Sequence, residues 1–187
     1  VILKDKNILL AVTGSIAIYK SLELIRLFIK AGANVKVILS DGAKKFINPI
    51  TFEAISQNRV LDESSESWDK SQNYNHIDIT KWADILLIAP ATANTINKIS
   101  CGIADNLLLQ TVLACKKKII IAPAANTNMI ENPITTKSIN NLKNLGFEVL
   151  QTQTKELACK DVGNGAMLEP IDIFHKTCKE LLKTSYW

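Results

Sequence analysis

The chain has 187 residues, 47% of them hydrophobic and 21% charged, and carries a formal net charge of +4. That length is enough for a single domain over residues 1–187, with a core that needs neither metal nor disulfides. The one tight basic run, Lys116-Lys117-Lys118, has no interleaved aromatics and reads as a solvated turn, which argues against a nucleic-acid partner.

Asn7–Val12 is a continuous apolar run ending at Thr13-Gly14-Ser15, which predicts a buried strand and a tight turn. Apolar residues then recur at helical spacing from Ile16 to Ala31 (Ile18, Leu22, Ile25, Phe28, Ile29), with Gly32 as C-terminal cap. Val35–Leu39 predicts a second strand, ending at Ser40-Asp41. Segment 58–75 is polar, rich in Ser, Glu and Asn, and predicts a surface excursion or mobile loop. Ala83–Ala89 and Lys118–Ala122 predict two more strands, each stopped by a proline, with a helical pattern from Ala104 to Cys115 between them. A helix over Pro133–Leu145 and a short strand over Phe147–Leu150 follow. A Gly-rich, turn-forming segment, Glu156–Met167, leads into a terminal amphipathic helix.

Apolar strands alternating with helices predict an α/β fold of the Rossmann-like or flavodoxin-like kind. Its three layers are a parallel sheet with helices on both faces. Open sheets of this kind bind ligands beyond the carboxyl ends of their strands. The polar segments at those ends, Thr13-Gly14-Ser15, Ser40-Asp41, Pro90–Thr95 and Pro123–Asn126, are expected to converge on one ligand.

Each motif has a chemical and a structural reading. Gly14-Ser15-Ile16 offers a phosphate free amides, the helix dipole and a hydroxyl, or it is an ordinary strand-to-helix turn. It is not a Gly-x-Gly-x-x-Gly fingerprint, so a mononucleotide phosphate suits it better than a dinucleotide. Pro90-Ala91-Thr92-Ala93-Asn94-Thr95 can admit a flat cofactor, or serve as a helix cap. His76 can move a proton or hold a carboxylate, while His175 sits in the terminal helix and reads as structural. The Asn126 amide can bind a carboxylate or form a turn. Cys159 can donate a proton, since a thiol of pKa ~8.5 is mostly protonated at neutral pH, or it is a small buried residue. The four cysteines form no Cys-x-x-Cys pair, so no metal site is expected. No signal peptide and no apolar run of the ~20 residues a membrane span needs is present, so no membrane partner and a cytoplasmic location are expected.

Taken in order, these stretches resemble the homo-oligomeric flavin-containing cysteine decarboxylases, and among them the branch acting on phosphopantothenoylcysteine in coenzyme A biosynthesis. The likeness covers nearly the whole chain. Gly14-Ser15-Ile16-Ala17 with Tyr19-Lys20 looks like the family's opening turn, and Asn75-His76-Ile77 like its active-site histidine segment. Pro90–Thr95 matches its Pro-Ala-Ser/Thr-Ala-Asn-Thr motif, and Pro123-Ala124-Ala125-Asn126-x-x-Met129 its Pro-Ala-Met-Asn-x-x-Met motif. Gly102–Leu107 resembles a flavin-side segment. Ala158-Cys159-x-Asp161-x-Gly163-x-Gly165-x-Met167 matches its substrate-recognition clamp. The chain departs from the pattern at Ala125 (usually methionine), Lys160 (usually glycine) and Ala166 (arginine in many bacterial members).

The resemblance implies FMN, with its phosphate at Gly14, Ser15, Ile16 and Ser40. It places the flavin ring against Pro90, Ala91, Thr92, Asn94, Thr95 and against Ala104, Asp105 and Asn106. Substrate contacts fall to Asn126, Met129, Ala158, Asp161, Gly163, Gly165 and Met167. The implied reaction oxidises the substrate thiol to a thioaldehyde, loses carbon dioxide to an enethiolate, and then reduces the enethiol to phosphopantetheine. Asn126 holds the carboxylate, His76 orients substrate or assists proton removal, and Cys159 donates a proton. A homo-oligomer is also implied, a trimer often assembled into dodecamers with FMN near a subunit interface. Bacterial members are often fused to a phosphopantothenate–cysteine ligase, and no such domain is expected within these 187 residues. A peptidyl-cysteine decarboxylase, a flavin prenyltransferase and a non-catalytic flavoprotein regulatory subunit are the alternatives.

Overall fold

A computed structural model describes residues 1–69, 75–156, 160 and 162–183. Five parallel strands form the central sheet: β1 (Asn7–Val12), β2 (Asn34–Leu39), β3 (Ile85–Ala91), β4 (Ile119–Pro123) and β5 (Glu148–Val149), in the order β2-β1-β3-β4-β5. Because successive strand residues point to opposite faces, the apolar runs feed two cores. Ile8, Leu10, Val37, Leu87 and Ile120 face α1 (Tyr19–Lys30), α3 (Pro49–Ser56) and α9 (Pro170–Leu182) through Leu24, Phe28, Phe52 and Ile173. Leu9, Ile38, Leu86, Ile88 and Ile121 face the opposite way. There they meet α4 (His76–Trp82), α5 (Ala93–Ser100), α6 (Leu107–Ala114) and α8 (Pro133–Asn144) through Ile79, Ile96, Leu108 and Leu142. Two short helices, α2 (Asp41–Lys44) and α7 (Thr127–Glu131), follow strand ends. The expected three-layer α/β fold is therefore present, in the flavodoxin strand order.

Several boundaries differ from expectation. The first helix is split, because the Ser15 hydroxyl accepts the Ala17 N–H and opens a 3-10 turn (Ile16–Ile18) ahead of α1. Pro90 does not stop β3. It lies inside the strand after a cis Ala89–Pro90 peptide, at a register shift between Ile88 and Ala91 where its missing N–H costs no ladder bond. Pro123 likewise ends β4 from within. The helix expected from Ala104 begins at Leu107, where the Asn106 side chain accepts the Leu109 N–H.

Two segments need fuller correction. The described part of 58–75 is not a free excursion. Leu61 is fully buried and bridges Ile38 in parallel, exchanging hydrogen bonds with Val37 and Leu39 along the outer edge of β2. The Gly-rich stretch expected as a turn contributes instead to an antiparallel hairpin, β6 (Gln153–Glu156) with β7 (Val162–Ala166). Periodicity could not show this, since β6 is wholly polar and β7 carries two glycines.

Candidate active site

The strand order reverses between β1 and β3, and the crevice at their carboxyl ends is where such sheets take ligands. Thr13, buried at 2% exposure, ties the two ends together. Its hydroxyl donates to the Pro90 carbonyl at 2.6 Å and accepts the Thr92 N–H at 3.0 Å, while its own N–H donates to Pro90 at 3.2 Å. Thr92 then caps α5 by accepting the Thr95 N–H, and its hydroxyl donates to the Thr95 hydroxyl. Of the expected ring-binding residues, Pro90 and Ala91 are buried in β3, Thr95 is buried, and Asn94 is exposed.

The turn after β1 rests on the turn after β2. A Cβ on Gly14 would lie 2.7 Å from the Gly42 carbonyl carbon and 2.9 Å from its oxygen, so only glycine allows this approach. Ser15 and Ser40 are thereby held on adjacent turns, each capping the turn that follows it. Ile16 is exposed beside them. Ala104, Asp105 and Asn106 form the loop before α6, with Asp105 paired to Lys98 at 2.9 Å. Hydroxyls, a side-chain amide and helix-first amides are the neutral donors that a phosphate monoester and a polar ring edge require, so these residues fit FMN.

Asn126 follows β4 and caps α7, its side-chain oxygen accepting the Asn128 N–H at 2.9 Å. Beside it the Ala125 N–H donates to the Gly165 carbonyl of β7 at 3.0 Å, and the Asn164 N–H donates to the Thr127 hydroxyl. A Cβ on Gly165 would fall 1.7 Å from the Ala125 carbonyl oxygen. This contact seats the hairpin on the Asn126 turn, where it forms one wall of a half-open cavity of about 690 Å³. Ser15, Ile16, Asn126, Gly165 and Met167 line it, so parts of the expected phosphate turn and of the expected clamp share one space with the residue expected to bind a carboxylate.

The wall also carries charge, of which the sequence motifs included only Lys20. Lys20 and Lys155 both donate to Glu169 at the start of α9. The hydrogen bond from Lys155 holds the Glu169 carboxyl below its ordinary value; partial burial opposes this and the bond from Lys20 adds to it.

Other expected residues lie apart. Ser40, Pro90–Thr95, Ala104–Asn106, Met129 and Gly163 do not line this cavity, and neither does His76. Met129 is exposed on α7, and Gly163 is buried in β7. His76 opens α4 on the opposite face of the sheet from α1 and α9, with its Nδ1 2.7 Å from Glu66 Oε1 and the Trp68 ring edge-on at 5.6 Å. Ala158, Cys159 and Asp161 lie outside the described residues. Glu66, Lys155 and Glu169 carry no signal in the sequence, whereas Thr13 does, as the first polar residue of the turn after β1. Among the described residues no group of side chains is arranged to hold a metal, and no helix is long and apolar enough to cross a membrane.

A family model described as Flavoprotein matches residues 2–182. A probable phosphopantothenoylcysteine decarboxylase of Streptococcus mutans is 42% identical over 178 residues, 94% of this chain and 99% of that protein. The coenzyme A biosynthesis bifunctional protein CoaBC of Bacillus subtilis is 40% identical over 171 residues, 91% of this chain and 42% of that protein. The chain thus spans about two fifths of the bifunctional relatives it matches. Among solved structures, a cysteine-to-serine mutant of PPC decarboxylase complexed with pantothenoylaminoethenethiol is similar at a TM-score of 0.82 and 32% identity, covering 93% of this chain and 97% of that one. The FMN binding protein AtHal3 is similar at 0.82 and 35% identity, covering 93% and 95%. The ordered motifs, the sheet order and matches running almost end to end agree: the chain belongs to the Flavoprotein family, close to its phosphopantothenoylcysteine decarboxylases.

Proposed function

We propose that this chain decarboxylates phosphopantothenoylcysteine to phosphopantetheine with FMN as cofactor. The observation that carries the reading is the shared cavity, in which Asn126 and the Gly165 hairpin are locked together by the Ala125–Gly165 hydrogen bond. Bound FMN supplies the two-electron oxidation of the substrate thiol and its reversal. The Asn126 side-chain oxygen serves the α7 cap, and its amide N–H groups are donors of the kind that bind a substrate carboxylate. His76 orients the substrate and assists proton removal. Cys159, between β6 and β7 in sequence, donates the proton that completes the product. The hairpin excludes water and sets the substrate against Asn126.

His76 and Asn126 occupy different parts of one chain, and a homo-oligomer, in trimers or dodecamers, would bring the two sets together at an interface. The exposed Ile77 beside His76 and the exposed Ile103, Met129 and Ile134 near the other groups support a covered face between copies. We also propose a phosphopantothenate–cysteine ligase, fused or separate, as the supplier of substrate, and a cytoplasmic location for both.

The test is mass spectrometry of phosphopantothenoylcysteine incubated with FMN-loaded protein. Loss of carbon dioxide to give phosphopantetheine is the expected result. No conversion by folded, flavin-bound protein would overturn the reading in favour of a peptide C-terminal cysteine or a regulatory subunit.

A further inference from the structure

The segment after Leu61 places three carboxylates on three different elements. Asp62 pairs with Lys44 at 3.2 Å, Glu63 accepts the N–H of Leu107 at the start of α6, and Glu66 meets His76 at 2.7 Å. The first two anchor the segment between the β2 edge and α6. The third serves no comparable anchoring need, since α4 is already capped by Asn75, whose side chain accepts the N–H groups of Ile77 and Asp78.

We propose that Glu66 is a positioning residue that fixes the ring of His76. An ionised carboxylate only accepts hydrogen bonds, so the proton of this pair sits on Nδ1. The partner of one ring nitrogen sets the state of the other, which leaves Nε2 of neutral His76 as an acceptor. The Trp68 ring packs edge-on against the imidazole, 5.6 Å between centroids. Both partners are about one-fifth exposed (side chains 20% and 23%), so the bond is partly shielded from competing water. This inference rests on the reading that His76 acts on the substrate. It specifies that reading further: the histidine meets the substrate through Nε2, as a proton acceptor whose tautomer is set in advance.

Long-range proton–nitrogen NMR on the FMN-loaded protein, at a pH where the ring is neutral, reads which nitrogen carries the proton. The chain has two histidines, and His175→Gln leaves His76 alone in the spectrum. The expected spectrum shows His76 protonated on Nδ1. Glu66→Gln, whose carbonyl still accepts, keeps that pattern, and Glu66→Ala moves protonation toward Nε2. Turnover should follow, with kcat down about 10-fold in Glu66→Ala, as for other partners that orient a working histidine, and largely restored in Glu66→Gln with KM little changed. Nε2 protonation in the parent, or a pattern unmoved by Glu66→Ala, would overturn the pairing. Should Glu66→Ala fail to fold, the parent spectrum decides by itself. A tautomer shift with unchanged kcat would overturn the positioning role. His76→Gln run alongside then separates the causes: if it too keeps its turnover, the reading of His76 has failed, and if it loses turnover, the role of Glu66 alone has.

Discussion

Gly165 faces the carbonyl of Ala125 so closely that the smallest possible side chain would sit 1.7 Å from its oxygen. That relationship, with the Ala125 N–H bonded to the Gly165 carbonyl, is what turns a free-standing hairpin into a wall of the cavity. The neighbouring atoms are backbone and cannot swing aside.

Gly165→Ala should therefore push the hairpin off the Asn126 turn. Overpacking of this kind costs about 1–3 kcal/mol, or roughly 2–12 °C in the thermal midpoint of a chain this size. The larger effect should fall on turnover, because substrate would lose the wall opposite Asn126. Calorimetry and decarboxylation rates measured together check this: kcat/KM should fall far more than stability, by about 100-fold or more, as expected when reacting groups are displaced by an ångström.

The contrast between β1 and this hairpin shows what a sequence can disclose. Ile8–Val12 is buried on both faces, so its apolar run announces a central strand. Asn106, Asn126 and Asn132 sit at helix starts where an asparagine caps, and each does so. The hairpin gives no such signal, since its position depends on Gly165 fitting another backbone forty residues away in no periodic relation. Glu66 is hidden for the same reason: it lies ten positions before His76 in no helical or strand periodicity, and only the fold closes that gap. Pro90 was misread because a proline usually ends a central strand, and its tolerance here depends on the Thr13 hydroxyl and a register shift. The cavity could be anticipated through its asparagine and glycines, while the pairing of Glu169 with Lys20 and Lys155 in its wall could not.

Thr13→Val keeps the shape of the buried side chain but removes the hydroxyl that joins β1 to β3. The Thr92 N–H would then lose its acceptor, at a cost of about 1–3 kcal/mol. Urea unfolding should show that loss. Flavin fluorescence titration should show weaker FMN binding, because the Pro90–Thr95 segment is no longer pinned to the Ser15 turn. Thr13→Ser should recover most of both, as it retains the donor and acceptor.

The Glu169 carboxyl is held below its ordinary value by its lysine partners, chiefly Lys155. Its ionised form is therefore favoured more in the folded than in the unfolded chain, so it stabilises the fold above the unfolded value of about 4.3. That contribution is lost as pH falls from there through the depressed native value. Glu169→Gln should accordingly have a lower thermal midpoint than the parent near pH 7, with the difference closing below about pH 4. Added salt should narrow the gap at pH 7, since the group is about one-third exposed. A gap that widened in acid would reverse the sign of this coupling and refute it.

Asn126→Asp separates the two duties of one side chain. The Oδ1 atom that accepts the Asn128 N–H survives in aspartate, and a negative charge suits the first turn of a helix, so the cap should hold or gain slightly. The amide N–H groups, however, are replaced by a charged oxygen, which under the proposed function would face the substrate carboxylate in a partly closed space. Like charges at hydrogen-bonding distance disfavour each other strongly where water is excluded. The variant should therefore keep its thermal midpoint and its bound flavin while decarboxylation falls by at least about 100-fold, the scale seen when one positioned donor is lost. Flavin absorbance, calorimetry and product mass on a single preparation decide the matter. Turnover within a few-fold of the parent would mean that the carboxylate is held by some group other than Asn126. A collapse of the midpoint would mean instead that capping α7 is the weightier of its two duties.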